Sequence, residues 1–523
     1  MALLSFCSRS AKQIISTCQS YSNYDEDMKQ KTVLLEAAWV KIEIQLQFLS
    51  KVSHLLEEEL ARCQFRLVQI LNGKLAQAVS QLQVSTIESS VNASTKLRIA
   101  DRFKKWKWVL KNSLTELVAD LEAWQGRFDP TWYLTILTSS EILDSKLQSL
   151  KKDLSARPDA QLNPLQRIWD FRSVSNSQDR ANLYYDPMRL RIAEETPIPF
   201  SSAKTIVREG KSGFLIIEAV TCAHGSHESN RLSAVRSDVE KLARKLHQID
   251  PDTFGLLRCG GLMSHRDPST KELKRIDMIY NAPLHETPPV SLRQLLLTTK
   301  RDFVSISIVV RIAKQLVRSI SYIHTCDFVH KDVRPENVLV FSSSDLTRSR
   351  SFLVGFNQFR SSSPTFQTNL LGDPAWHRNL YRHPQRQGIR VQDRYVMQHD
   401  IYSLGVCLLE IGLWRSFVKY PNDDPTAAPY SELTPALRLT DGDFENAHLT
   451  ERLRIVRHLV ELAKRRLPSR VGDVYKEVVL ACLTCLEPGN EMFGSKDVRD
   501  DSGVIVGVRF VEEILARIST IEV

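Results

Sequence analysis

Two side chains of the kind that do chemistry stand five residues apart in V-H-K-D-V-R-P-E-N-V-L-V-F, Val329 to Phe341. They are the carboxylate of Asp332 and the carboxamide of Asn337. A carboxylate and a carboxamide five residues apart on one turn give it a charged and a neutral polar group. An apolar run ending at His330 leads into the turn, and Val338 to Phe341 leads out of it. The pattern predicts a polar loop held between two buried segments.

The stretch resembles the catalytic loop of eukaryotic protein kinases, H-R-D-x-x-x-x-N. That resemblance implies that Asp332 accepts the proton of a substrate hydroxyl, that Asn337 holds magnesium, and that ATP is the cofactor. His330 opens the motif, and Lys331 stands in the usual Arg position. Downstream, Leu380-Tyr-Arg-His-Pro-Gln385 is similar to the segment ending in A-P-E, with Gln385 in place of the Glu. His399 to Glu410 resembles D-x-x-S-x-G-x-x-x-x-E, which implies that Asp400 hydrogen-bonds the backbone of the catalytic loop.

The departures from the pattern cluster on the nucleotide and metal side. Gly355-Phe356-Asn357 falls where kinases carry D-F-G, so the metal-binding Asp is a residue without a side chain. Asn337 then supplies one neutral oxygen, and Asn357 lies two residues along and carries no charge. Of a G-x-G-x-x-G loop only Gly210 and Gly213 are present. No Lys occurs between Lys211 and Lys241, and Val220 occupies about the place where the strand lysine would fall. Glu240, the candidate helix acid, lacks that partner; Lys211 from the preceding loop is the alternative phosphate contact.

The elements that position these residues are read as follows. Gly213 to Val220, Phe254 to Leu257 and Ile276 to Tyr280 predict strands, the last running into a hinge at Asn281. Asn230 to Ile249, Ser291 to Thr299, Ser305 to His324, Tyr475 to Leu486 and Gly507 to Ile518 predict helices. Ser361, Ser362, Ser363 and Thr365 form a Ser-rich segment open to phosphorylation or simply to solvent.

The first 155 residues read differently. Met1 to about Ser22 is amphipathic, and apolar residues from Leu35 to Ile70 recur every three or four positions, broken at Ser53. Asn72-Gly73 predicts a break, and a further helix is expected from Lys96 to Trp124. An all-α bundle follows. W-Q-G-R-F-D-P-T-W, Trp124 to Trp132, resembles the HeLo-type (prion-inhibition and propagation) domains of filamentous fungi, helical bundles of which some permeabilise membranes. Lys96, Arg98, Arg102, Lys104, Lys105, Lys107 and Lys111 crowd one stretch with Phe103, Trp106 and Trp108. Such a mixture suits an anionic membrane surface; the alternative is a solvated basic face with Phe103 and Trp106 in the core. No nucleic-acid motif accompanies it.

The predicted architecture is an N-terminal all-α helical bundle (1–155), a Pro-rich linker (156–200), and an α+β bilobal protein-kinase-like domain with a small lobe (201–284) and a large lobe (285–523). The layout is similar to the mixed-lineage kinase-domain-like pseudokinases of animals. It implies a cytoplasmic signalling protein recruited to membrane, with protein partners or self-assembly. Nine cysteines are scattered without disulfide or zinc spacing, Cys482 and Cys485 included, and the net charge of +9 favours anionic surfaces. Three classes stay open: a pseudokinase regulating the bundle, a divergent Ser/Thr kinase, and a scaffold.

Overall fold

The computed structural model describes residues 2–22, 26–53, 56, 58–90, 113–125, 128, 183–185, 190, 192–210, 213–221, 228–247, 249–267, 269, 273–283, 287–326, 328–342, 346, 349–357, 359–361, 371–391, 394–433, 439–445, 449–490, 492–493 and 504–521. It divides into two compact units, Met1–Trp169 and Asp170–Val523. The basic-aromatic stretch from Lys96 to Lys111 lies outside the described residues, as do Lys211, Ser362, Ser363 and Thr365. No described helix is long and apolar enough to cross a membrane.

The first unit is helical. Helices α1 (Ala2–Ser22), α2 (Glu26–Val52), α3 (Glu58–Ser90) and α4 (113–125) each bury one stripe. Helix α1 packs on α2 and α3, and the buried stripes are Cys7, Ala11, Ile14 and Cys18 on α1, Leu35, Trp39, Ile42 and Leu46 on α2, and Leu60, Cys63, Leu67 and Leu71 on α3. These are the three- and four-residue steps of the sequence. The chain breaks near Ser53, where the seam falters, and α3 runs straight through Asn72-Gly73. A Cβ at Gly73 would meet nothing within 4 Å, so this glycine sits on an open helix face and not at a turn. Trp124 stacks on Phe128 at 4.5 Å and donates its indole N–H to the carbonyl oxygen of Leu67 at 2.6 Å, pinning α4 to α3.

In the second unit, five antiparallel strands form one sheet: β1 (Ile192–Pro197), β2 (Lys204–Arg208), β3 (Phe214–Thr221), β4 (Cys259–Arg266) and β5 (Leu273–Asn281), ordered β1-β2-β3-β5-β4. Strand β1 lies inside the stretch read as a linker and forms the sheet edge. The strand expected at Phe254 to Leu257 is absent. Pro251–Phe254 forms a helical turn, and the strand begins at Cys259 instead. Proline at the first helical position and Gly255 in the left-handed region explain that turn. Helix α5 (Glu228–His247) packs on β4.

Leu190, Ile206, Leu215, Ile217, Met263 and Ile279 cluster on one face of the sheet. Side chains alternate along a strand, so Ile216, Glu218 and Val220 point to the other.

The rest of the unit is mainly helical around α6 (Leu292–Thr298), α7 (Ile306–Thr325) and α8 (Met397–Leu413). Ser291 and Ser305 cap the first two by accepting from the N–H groups of Gln294 and Ile308. Strands β6 (Val290–Ser291), β7 (Val338–Phe341) and β8 (Arg350–Leu353) make a small sheet that holds the polar loop where it ends, and Phe328–Val329, paired with Arg360–Ser361, holds it where it begins. Helix α9 (Leu449–Arg466), absent from the sequence reading, packs with α10 (Asp473–Leu483). The eight described cysteines are free, buried thiols.

Candidate functional site

The polar loop is fixed from beneath by Asp400 on α8. Its carboxylate accepts the N–H of His330 at 2.7 Å and of Lys331 at 2.9 Å, the hydroxyl of Tyr395 at 2.6 Å, and meets Nε2 of His324 at 3.1 Å. Burial alone would raise its pKa, but the hydrogen bonds and charges of His324, His330 and Tyr395 outweigh it and hold the carboxyl below the usual range. Lys331 adopts a left-handed φ of 69° and its ammonium lies over the Tyr395 ring.

His330 is fully buried and, chiefly through that desolvation, its pKa is depressed. Its Nε2 lies 2.9 Å from the carbonyl oxygen of Val354, so it carries the proton and donates; Nδ1 accepts the N–H of Asp332. The imidazole is a strut between the polar loop and the segment at Val354.

Asp332 is nine per cent exposed and reaches the surface of the loop. Its Oδ1 accepts from Nε of Arg334 at 2.8 Å, and Oδ2 accepts from Nδ2 of Asn337 at 2.9 Å. Desolvation opposes ionisation, yet Arg334 in particular keeps the pKa below the ordinary value. The carboxylate is charged and oriented.

Asn337 is fully buried, donates a second bond to the Asp332 carbonyl at 2.7 Å, and leaves Oδ1 with no donor. Gly355 sits against it at φ 91°, in the region that favours glycine. A Cβ at position 355 would lie 2.2 Å from Asn337 Cγ. The carboxamide therefore fills the space that a side chain at 355 would need.

The residue missed by the sequence reading is Glu218. It lies two positions before Val220 on the same face of β3, and it is one per cent exposed. Its Oε2 accepts the N–H of Gly355 at 3.0 Å and the hydroxyl of Tyr280 on β5 at 3.4 Å, while Oε1 has no donor. Burial pushes its pKa up to about 7. The N–H groups of Gly355 and Phe356 pull the other way, and the charge of Asp332 adds to the rise. The only signal was an acid inside F-L-I-I-E-A-V; alternation placed it inward.

The remaining predicted residues do not join this cluster. Glu240 is held on α5 by Arg236 at 2.8 Å and Arg244 at 3.5 Å, and accepts the Tyr184 hydroxyl at 2.8 Å. Gly210 and Gly213 have left-handed φ in the β2–β3 turn, with open space around both. Asn281 ends β5, its N–H on the Arg258 carbonyl. Asn357 follows the Gly355 turn with its Oδ1 unpaired.

Behind the loop, fully buried Arg293 on α6 bridges Glu336 at 3.1 Å and Glu410 at 3.0 Å and also reaches Tyr381. No three His, Cys, Asp or Glu side chains gather as a metal site among the described residues.

No family model matches the chain. The serine/threonine-protein kinase TIO of Arabidopsis thaliana is 33% identical over 156 residues, 24% of this chain and 11% of its own length. The human serine/threonine-protein kinase Kist is 21% identical over 256 residues, 49% of this chain and 54% of its own. Rat eukaryotic translation initiation factor 2-alpha kinase 1 is 29% identical over 115 residues, 21% and 18% respectively. The chain spans about half or less of the length of these relatives. Together with the loop geometry, they support a kinase-like domain in the C-terminal part of the chain.

Proposed function

We propose that the chain is a signalling or cell-death-type protein in which a non-catalytic, pseudokinase-type domain regulates the N-terminal helical bundle. One observation carries the silent-kinase half: a buried carboxyl, Glu218, reaches the Gly355 turn from the strand where a kinase grips phosphate with an ammonium. Bringing ATP phosphates beside that group sets like charges together in a low-dielectric site. Asn337 packed into the place of a side chain at 355 also leaves no room for the missing metal-binding Asp. The residues present do not fit Mg²⁺–ATP as the kinase resemblance expects it.

Titrating the full chain with ATP, with and without Mg²⁺, and following the melting temperature tests this reading. No shift in either titration is the expected result. A metal-dependent shift, with transfer of labelled phosphate that Asp332→Asn abolishes, would establish a divergent Ser/Thr kinase instead. That second reading has its own support, because Asp332 is charged and positioned as a base would be. The acceptor atoms Glu218 Oε1, Asn337 Oδ1 and Asn357 Oδ1 also lack donors.

For the bundle, the proposed target is an anionic membrane surface, reached after self-assembly or release by a protein partner. Support comes from the basic-aromatic sequence stretch and from apolar side chains exposed on the helical unit, Phe6, Val33, Leu34, Val40, Phe65 and Ile70. Leakage of phosphatidylserine vesicles by the full chain, before and after enforced dimerisation, tests it. Vesicles that stay sealed in both states refute the membrane role.

A further inference from the structure

Helix α9 carries six cations against two acids in L-T-E-R-L-R-I-V-R-H-L-V-E-L-A-K-R-R. Lys464, Arg465 and Arg466 fall in the last turn, where cations complement the helix dipole and need no further reason. Arg454 and Arg457 do not. They sit in the first half of the helix, where the dipole gives them nothing, and neither has a carboxylate partner among the described residues. Both are exposed.

These two arginines, His458, Glu461, Arg465 and Arg466 line an open hollow of about 560 Å³, with Leu462 supplying apolar surface. Their spacing puts them on one helix face. Nε2 of His458 is buried there without a hydrogen-bond partner. Glu461, the acid on this face, is taken up by Lys464 at 3.4 Å and Arg465 at 3.8 Å. Two positive poles remain, Arg454 with Arg457 at one end and the Arg465–Arg466 pair at the other.

From Arg454 to Arg465 is eleven residues, about 17 Å at the helical rise. An extended segment of about five residues covers that distance.

We infer that this face of α9 docks an acidic peptide segment of a partner protein, with carboxylates near both ends and a short middle over His458 and Leu462. Charge complementarity selects the acid. Arginine at four of the lining positions offers planar forks that pair bidentately with carboxylates. A concave face with Glu461 at its centre suits a chain with a neutral middle, and it interrupts the continuous positive track that a nucleic-acid backbone wants. No Phe, Tyr or Trp lines it for base stacking. A lipid bilayer, being flat, would leave the hollow unfilled.

The inference is independent of whether the kinase-like domain turns over ATP. Fluorescence anisotropy of the full chain with the fluorescein-labelled peptide Asp-Glu-Gly-Ser-Gly-Ser-Asp-Glu tests it, with Asn-Gln-Gly-Ser-Gly-Ser-Asn-Gln as control. Saturable binding of the acidic peptide alone is expected. The double variant Arg454→Gln/Arg457→Gln should weaken it by about tenfold or more, because each lost fork removes a charge-assisted pair. Lys204→Gln, an exposed cation on the sheet, should leave it unchanged. Circular dichroism shows whether the variants keep their fold, and both target exposed side chains.

Absence of saturable binding by the parent chain overturns the inference, as does equal binding by the double variant. So does tighter binding of phosphatidylserine vesicles or duplex DNA that the double variant loses, which would make the face a lipid or nucleic-acid site.

Discussion

A carboxyl group enclosed beside backbone N–H groups must hold either a proton or a charge, and Glu218 does so near neutrality. In the unfolded chain it titrates near 4.5, and in the fold at about 7. Below both values it is protonated in either state and its titration has no effect on stability. As pH rises between them the unfolded chain ionises first, so folding loses stability, and the loss is complete above about 7. The shift is on the order of 3 kcal/mol. Glu218→Gln should therefore exceed the parent in urea stability by roughly that amount at pH 8, and the gap should shrink as the pH falls toward 5. A gap that does not change with pH would refute the buried titration. Asp400 behaves oppositely, since its folded pKa is depressed: its contribution is present above the unfolded value of 3.8 and is lost as pH falls through the folded one. Asp400→Ala takes the acceptor from His330 N–H, Tyr395 and His324 together. A loss of about 3–5 kcal/mol is expected, read from urea unfolding near neutral pH; a loss under about 1 kcal/mol would mean that the loop is held by something else.

At the scale of elements, the motif residues Trp124 and Phe128 are a staple between α4 and α3. Trp124→Ala removes a fully buried ring, its stack on Phe128 and a hydrogen bond to Leu67. The expected cost is about 3–5 kcal/mol, measurable as a fall in the denaturation midpoint of the helical unit. Long amphipathic elements such as α1, α5 and α7 were legible in the sequence, because burial of one face imposes a period that survives in any context. The kinase-type loop was legible too, since Asp332 and Asn337 bond to each other five residues apart. What spacing could not supply was contact at a distance. Arg293 reads as a stray charge among leucines until Glu336 and Glu410, 43 and 117 residues away, are seen to neutralise it. Glu218 sits 137 residues from Gly355, and the bond between them ties this strand carboxyl to the Gly355 turn. The strand at Cys259 was misplaced because Leu256 and Leu257 are buried in the connection between the helical turn and β4, where Leu256 makes only an isolated bridge to Leu353, and burial without alternation does not distinguish such a connection from a strand.

Two compact units in one chain, each with its own core, carry a thermodynamic consequence for the whole molecule. Cooperativity follows shared buried surface. Leu35, Trp39, Leu67 and Trp124 make one core, and Ile320, Tyr322, Ile401 and Tyr475 belong to another. Two cores of this size unfold as separate units unless a large apolar interface couples them. Scanning calorimetry of the full chain should show two transitions, and the substitutions assign them. Trp124→Ala should lower one midpoint and leave the other in place, while Asp400→Ala should do the reverse. The first unit, Met1–Trp169, falls in the range where each kcal/mol moves a midpoint by about 2–4 °C, so Trp124→Ala should shift its transition by roughly 10 °C. The second unit, Asp170–Val523, is about twice as long, so Asp400→Ala should shift its own transition by about half as much. A single transition that both substitutions lower would mean that the units melt as one body. The proposed regulation of the helical unit would then have to act through a shared interface, and not through release of an independently folded helical unit.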